Sequence, residues 1–225
     1  RNYFASMMVK NGDADAMLSG YSRNYASVIR PVLDVVGKDK GISKIAATNM
    51  MLTDRGPIFL SDTSINIDPS SKELAKIAHM TSQIVEMFGH KPVVAMLSYA
   101  NFGSSKHPNA GKVSEAVAYL HRYYPELVVD GPLQSDFALN RDMLQEKFPF
   151  SEIAKKNVNT LIFPNLESAN ITYKLMKELN KNQSVGPILL GLKEPIHVLQ
   201  LGASVEEIVN MASVAVIDAQ QKQKK

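Results

Sequence analysis

Residues 91–108 read KPVVAMLSYANFGSSKHP. Residues 92–97 form a short apolar run with two valines, the pattern of a buried strand. Small hydroxyl and amide residues follow at Ser98, Asn101, Gly103, Ser104 and Ser105. After Pro108 an amphipathic helix is predicted over residues 112–122, with Val113, Ala116, Val117 and Leu120 on one face. A strand that runs into a polar loop and then a helix is where open α/β sheets bind ligands. Hydroxyls and free N–H groups suit phosphate or carboxylate oxygens, and Gly103 would let backbone approach a ligand. No Gly-Lys-Ser/Thr follows, so this is not a Walker A loop. The competing reading is an ordinary polar connection.

Outward from this stretch, strands and helices alternate. Helices are predicted over residues 1–10, 25–36, 70–88, 136–148, 165–180 and from Ser204 onward. The helix after Asp68-Pro69 opens with a Ser70/Glu73 capping box and stops at Gly89. In the 165–180 helix Leu166, Ala169, Tyr173, Met176 and Leu179 are read as inward. Ser204 and Glu207 form a second capping box, and Val205, Ile208, Val209, Ala212, Val216 and Ala219 are read as the buried face of that helix. Strands are predicted at 14–18, 44–51, 58–60, 127–129, 160–163 and 187–190, with a hairpin turn at 53–56. The polar tail 220–225 should fray. The pattern specifies an α/β protein with a mainly parallel sheet. Several strands end in polar loops, at 19–20, 98–105, 130–136, 164–165 and 191–202. In a parallel sheet such ends share one edge, where a cleft can form.

The 225 residues suffice for one large domain or two lobes. A net charge of +3, not concentrated in one block, argues against nucleic acid or membrane as partner. With no cysteine there is no disulfide, thiolate metal site or cysteine nucleophile. No apolar run reaches transmembrane length and no signal peptide opens the chain, so a cytoplasmic protein is expected. Two Asn-x-Ser/Thr triplets, at Asn170 and Asn182, carry no weight there. The five histidines lack ligand pairing, and no metal site is expected. No Gly-x-Ser-x-Gly or Gly-x-Gly-x-x-Gly occurs, which disfavours an α/β-hydrolase and leaves no dinucleotide fingerprint. Asp130 and Asp136 flank a loop and could act as acid, base or amide partner; Asp136 is equally explained as a helix N-terminal charge. For Glu207 a capping role competes with a general-base role.

Taken together, GDADAMLSG (12–20), RPVL (30–33), DPSSKEL (68–74), VAMLS (94–98), GSSKH (103–107), DGPLQSD (130–136), IFPNL (162–166) and GPILLG (186–191) resemble the phosphate acetyltransferase family in order and spacing. SYANFGSS (98–105), IHVL (196–199), ASV (203–205) and IVNM (208–211) resemble one branch, the acetyltransferase-like domain at the C-terminus of large bacterial NADP-dependent malic enzymes. The resemblance implies a three-layer α/β/α fold in two lobes around a ligand cleft, of the phosphate acetyltransferase and isopropylmalate-dehydrogenase type. The first lobe would comprise residues 1–40 and 187–225, its upstream part lying outside this chain; the second would comprise 41–186.

The same resemblance exposes departures. Active transferases carry Leu-Ser-Arg-Gly where this chain has Leu199-Gln-Leu-Gly202, so Gln200 and Leu201 replace the serine and the phosphate-balancing arginine. Their catalytic aspartate aligns with Glu207, and a second site arginine aligns with Glu178. Arg30 is the family arginine that persists. No catalytic residue is therefore expected. The expected ligand residues are Arg30, Ser98, Asn101, Gly103, Ser104, Ser105 and Asp136, and the expected ligand is acetyl-CoA or a related acyl-CoA acting as an effector. The resemblance places NADP and a divalent metal in an upstream malic enzyme domain, with no cofactor in this one, and implies a homo-oligomer. A working phosphate acetyltransferase and a pure oligomerisation module are the alternatives.

Overall fold

The computed structural model describes residues 1–21, 25–180 and 183–224. The triplet at Asn182 and the last residue of the tail, Lys225, lie outside these. In chain order the elements are α1 (Asn2–Asn11), β1 (Met17–Gly20), α2 (Tyr25–Val35), β2 (Ala46–Thr53), β3 (Gly56–Ser61) and α3 (Ser71–Met87). Then come β4 (Val94–Leu97), α4 (Pro108–Tyr123), β5 (Val129–Leu133), α5 (Ser135–Leu139), α6 (Arg141–Lys147) and β6 (Thr160–Ile162). The chain finishes with α7 (Leu166–Asn180), β7 (Ser184–Leu190), β8 (Ile196–Leu199) and α8 (Val205–Lys222). It divides into two compact units, residues 1–49 with 184–225, and residues 50–183. The sequence had put the divisions near 40/41 and 186/187. The compact units divide within β2 and at the start of β7.

In the second unit the strand order runs β5-β4-β6-β3-β2. β4 pairs parallel with both β5 and β6, and β6 pairs parallel with β3. Successive side chains alternate between faces. Ile58, Leu60, Ala95, Leu97, Leu161 and Phe163 pack with Ala138, Leu144, Ile153, Ala169 and Tyr173 from the α5–α7 side. Phe59 turns the other way, its ring 5.8 Å from that of Phe88 at the end of α3. On that same face the Thr81 hydroxyl of α3 donates to Ser61 Oγ at 2.9 Å. Helices therefore cover both faces of a central sheet, and the strands read as continuous apolar runs because neither face meets water. Each fully buried Leu, Ile or Phe contributes about 1.5–3 kcal/mol by leaving water.

In the first unit β1 and β8 pair parallel, with Gly20 opposite Leu199. A Cβ on Gly20 would overlap the Leu199 carbonyl, so only glycine permits this approach. β7 neighbours β2, whose first half belongs to this unit.

The capping boxes form as expected at Ser70/Glu73 and Ser204/Glu207. Other readings shift. α4 starts at Pro108, four residues early, because His107 caps it through Nδ1 and proline suits a first turn. The expected 136–148 helix breaks at Asn140, whose side chain caps α6. β8 lies in the segment read as a loop. On α8 the buried residues are Met211, Val214, Ala215 and Ala219, while Val205, Val209 and Val216 are exposed. On α7, Ala169 and Tyr173 are buried and Leu179 is exposed. Among the described residues no helix is long and apolar enough to cross a membrane.

Gly131 has φ 149°, and a Cβ there would sit 2.5 Å from the Met96 carbonyl oxygen. Gly131→Ala should destabilise the chain by about 2 kcal/mol or more, the scale of overpacking a core. Gly111, inside α4 with open space around it, is the contrast. Gly111→Ala should stabilise by about 0.5–1 kcal/mol. Urea unfolding of both variants checks the opposite signs.

Candidate functional site

Because β3, β6, β4 and β5 run parallel, their carboxyl ends share one edge of the second unit. The loop from Ser98 to Ser105 leaves β4 there, beside the exits of β5 and β6. It is pinned from several directions. Asn101 Nδ2 donates to Gln134 Oε1 at 2.7 Å, and the Gln134 N–H donates back to Asn101 Oδ1 at 2.8 Å. Gln134 Nε2 also donates to the Tyr99 carbonyl at 2.8 Å. Phe102 packs its ring 5.0 Å from Phe148 and 4.9 Å from Phe150. Each such ring pair is worth about 0.5–1.5 kcal/mol beyond area burial. Sequence reading missed Phe102 as an anchor; an aromatic residue inside a run of small polar ones was the available signal.

These partners sort the expected ligand residues. Asn101 is committed to holding the loop. Ser98 Oγ accepts from the Ala100 N–H at 3.3 Å, and Ser105 Oγ lies 2.7 Å from the Tyr99 hydroxyl. Gly103 and Ser104 form the exposed tip, with φ 83° at Gly103. Ser104 Oγ accepts from the Asn101 N–H at 3.1 Å and keeps its own O–H to donate. Asp136 is exposed in the first turn of α5. Asp130, read from sequence as flanking a loop, is inside β5 and buried. Its Oδ2 accepts from Ser151 Oγ at 2.6 Å and the Glu152 N–H at 3.1 Å, so it is a structural carboxylate away from this edge's loops.

Next along the edge, β3 exits into Asp62-Thr-Ser-Ile-Asn66, another feature missed in the sequence. The Asp62 carboxylate accepts from the N–H groups of Ser64, Ile65 and Asn66 at 3.0, 3.2 and 2.9 Å. Asn66 Nδ2 adds a fourth donor. Burial raises the carboxyl above its ordinary value of 3.8, and the donors pull it back only in part. Lys112 of α4 donates to Asp68 Oδ1 at 2.6 Å and to the Pro164 carbonyl at 2.9 Å, joining the exits of β3 and β6. Among the described residues no group of three or more His, Asp or Glu is placed to hold a metal ion.

In the first unit β8 exits into Gln200-Leu-Gly-Ala203 and α8. Gln200 is half-buried, and Leu201 is 63% exposed. Glu207 Oε2 accepts from the Ser204 N–H at 2.8 Å, the capping role. Arg30 is exposed on α2. Nearby the Tyr3 hydroxyl donates to Asp34 Oδ2 at 2.7 Å, and that bond raises the phenol's pKa while Arg30 opposes it. Glu178 is exposed on α7 of the second unit. The expected residues therefore fall into two groups. Arg30, Gln200, Leu201 and Glu207 belong to one unit; the 98–105 loop, Asp136 and Glu178 belong to the other.

The family described as phosphate acetyl/butaryl transferase matches residues 1–216. The chain belongs to this family. It is 38% identical over 216 residues to the NADP-dependent malic enzyme of Escherichia coli strain K12, covering 96% of this chain and 28% of that protein. It is 37% identical over 218 residues to the phosphate acetyltransferase of Bacillus subtilis strain 168, covering 97% of this chain and 67% of that one. A solved phosphotransacetylase from Streptococcus pyogenes superposes with a TM-score of 0.91 at 37% identity, covering all of this chain and 68% of that chain. The chain thus spans under a third of the malic enzymes it matches and between 31% and 67% of the phosphate acetyltransferases. Within the family's α/β framework the sequence motifs 94–98 and 103–107 map to β4 and its loop, and 130–136 maps to β5 and the start of α5.

Asn101→Ala should release the β4 loop. Hydrogen exchange across residues 98–105 should quicken, with a stability loss of about 1–2 kcal/mol. Asp62 generates a pH prediction. A carboxyl with a raised folded-state pKa binds its proton more readily when folded, so its contribution favours folding as pH falls from that raised value toward 3.8. Asp62→Asn should remove this component from the pH profile of urea stability.

Proposed function

We propose that this family member is a regulatory domain. It binds acetyl-CoA or a related acyl-CoA and signals to a malic enzyme domain upstream in the same cytoplasmic polypeptide. The observation that carries the reading is Leu201, uncharged and 63% exposed at the β8 exit, where the resemblance puts the transferases' arginine. Losing one preorganised partner of developing charge costs about a hundredfold to a thousandfold in rate. Glu178, where a second arginine is implied, adds repulsion toward a phosphate. Glu207 keeps a carboxylate, but one held in a helix cap. The identity to NADP-dependent malic enzymes, 36–38%, supports the larger setting.

In that setting the parent reaction is the oxidative decarboxylation of malate to pyruvate. The chain carries no Gly-x-Gly-x-x-Gly fingerprint, and in this reading the upstream domain would hold both NADP and the divalent metal. The exposed stripe Ile171, Leu175 and Leu179 on α7 supports a homo-oligomer. An active phosphate acetyltransferase is the second reading, favoured by the comparable identity, 37%, to the B. subtilis transferase.

Calorimetric titration with acetyl-CoA, and free CoA for comparison, should show saturable binding weakened by Arg30→Ala. A coupled assay for acetyl phosphate should show turnover at least about a hundredfold below that of a family transferase. Robust turnover abolished by Glu207→Gln would instead establish the transferase. Allostery requires that acetyl-CoA shift malate oxidation in the whole enzyme.

A further inference from the structure

At the other edge of the second unit's sheet, near the amino ends of β3 and β6, is a cavity of about 780 Å³. We propose that it is a second ligand site, separate from the carboxyl-edge loops, and that it takes a nucleoside phosphate.

The charge of the walls is the first argument. Arg55 comes from the β2–β3 turn, Arg141 from the start of α6, and Lys156 from the segment before β6. Asp142 is the one carboxylate lining the cavity, so three cations oppose one anion. Arg141 Nε lies 3.7 Å from Asp142 Oδ1, an exposed pair that water screens. Among the described residues neither Arg55 nor Lys156 has a carboxylate partner. Arg55 donates from Nη1 to the Leu139 carbonyl at 2.7 Å. That bond orients the guanidinium and leaves its other N–H groups for an anion, in the planar fork that suits phosphate oxygens.

Shape and the remaining lining supply the second argument. The volume falls within the range of sites for drug-sized ligands and far exceeds the need of a bare phosphate. Pro57, Ile58, Leu139 and Val158 give apolar wall on which a flat ring can lie. Asn157 is exposed and can donate and accept toward a base edge. Asn159 is not available: its Oδ1 accepts from the Val93 N–H at 2.9 Å and its Nδ2 donates to the Lys91 carbonyl at 2.9 Å. Cations with an apolar wall and an open amide fit an anionic tail attached to a heteroaromatic body.

The test is calorimetric titration of the 225-residue chain with ADP, with pyrophosphate and adenosine as comparison ligands. ADP should bind saturably, more tightly than either comparison ligand, and more weakly as salt rises. The double variant Arg141→Ala/Lys156→Ala should weaken ADP at least tenfold and leave acetyl-CoA binding and the circular dichroism spectrum unchanged. Should that variant unfold, Lys156→Glu alone should give the same loss. No saturable ADP binding at low salt would overturn the proposal. So would ADP binding undiminished in the variants, which would place it elsewhere, or pyrophosphate binding as tightly as ADP, which would remove the nucleoside from the site.

Discussion

Parallel pairing among β3, β6, β4 and β5 is the constraint on which the second unit depends. All four strands point one way, so four exits crowd one edge and helices must return across the faces. Strands with both faces covered cannot alternate polar and apolar residues. Polarity is expelled to the exits, and that is why Asp62–Asn66, Ser98–Ser105 and Gln134 lie together there. The backbone groups freed at those exits then need partners, which the Asp62 carboxylate and the Asn101–Gln134 pair supply.

The partners also separate framework from function along this edge. A side chain that fills its hydrogen-bonding capacity on the protein has little left for a ligand. Asn101 has both its amide oxygen and its amide nitrogen engaged, whereas Gly103 and Ser104 form the exposed tip. Glu207 engages Oε2 at the other unit's helix cap, which matters chemically because a general base needs a lone pair aimed at the proton it takes. Of the positions where the resemblance implies arginine, Leu201 and Glu178 carry no positive charge and Arg30 does. Binding the larger, partly apolar acyl-CoA depends less on those charges than transferring its acyl group to phosphate does.

Much of this fold was legible in the sequence where a local signal was self-sufficient. The Ser70/Glu73 box and the apolar run before Ser98 each state an element and its boundary. Illegibility had three physical sources. β5 contains Gly131 and Pro132, strong breakers whose local cost is overridden by burial between β4 and α4, so Asp130 was read one environment too far out. β8 sits within Gly- and Pro-containing sequence and is specified by pairing with β1, a partner nearly two hundred residues away. α8 and α7 carry two apolar stripes each, and periodicity cannot say which stripe is covered. For the site, the loop's polarity was readable, but whether an amide was spent on Gln134 or open to solvent is a fact about tertiary partners.

The Asp130 latch has a consequence for how tightly anything could be held at the amino edge. By gripping Ser151 Oγ and the Glu152 N–H from inside the sheet, it ties the stretch between α6 and β6 to a rigid strand at a point near Lys156. A wall fastened in this way loses little freedom when a guest arrives. The entropy that a floppy surface segment would surrender on binding has already been given up on folding, so more of each contact's strength would appear as affinity.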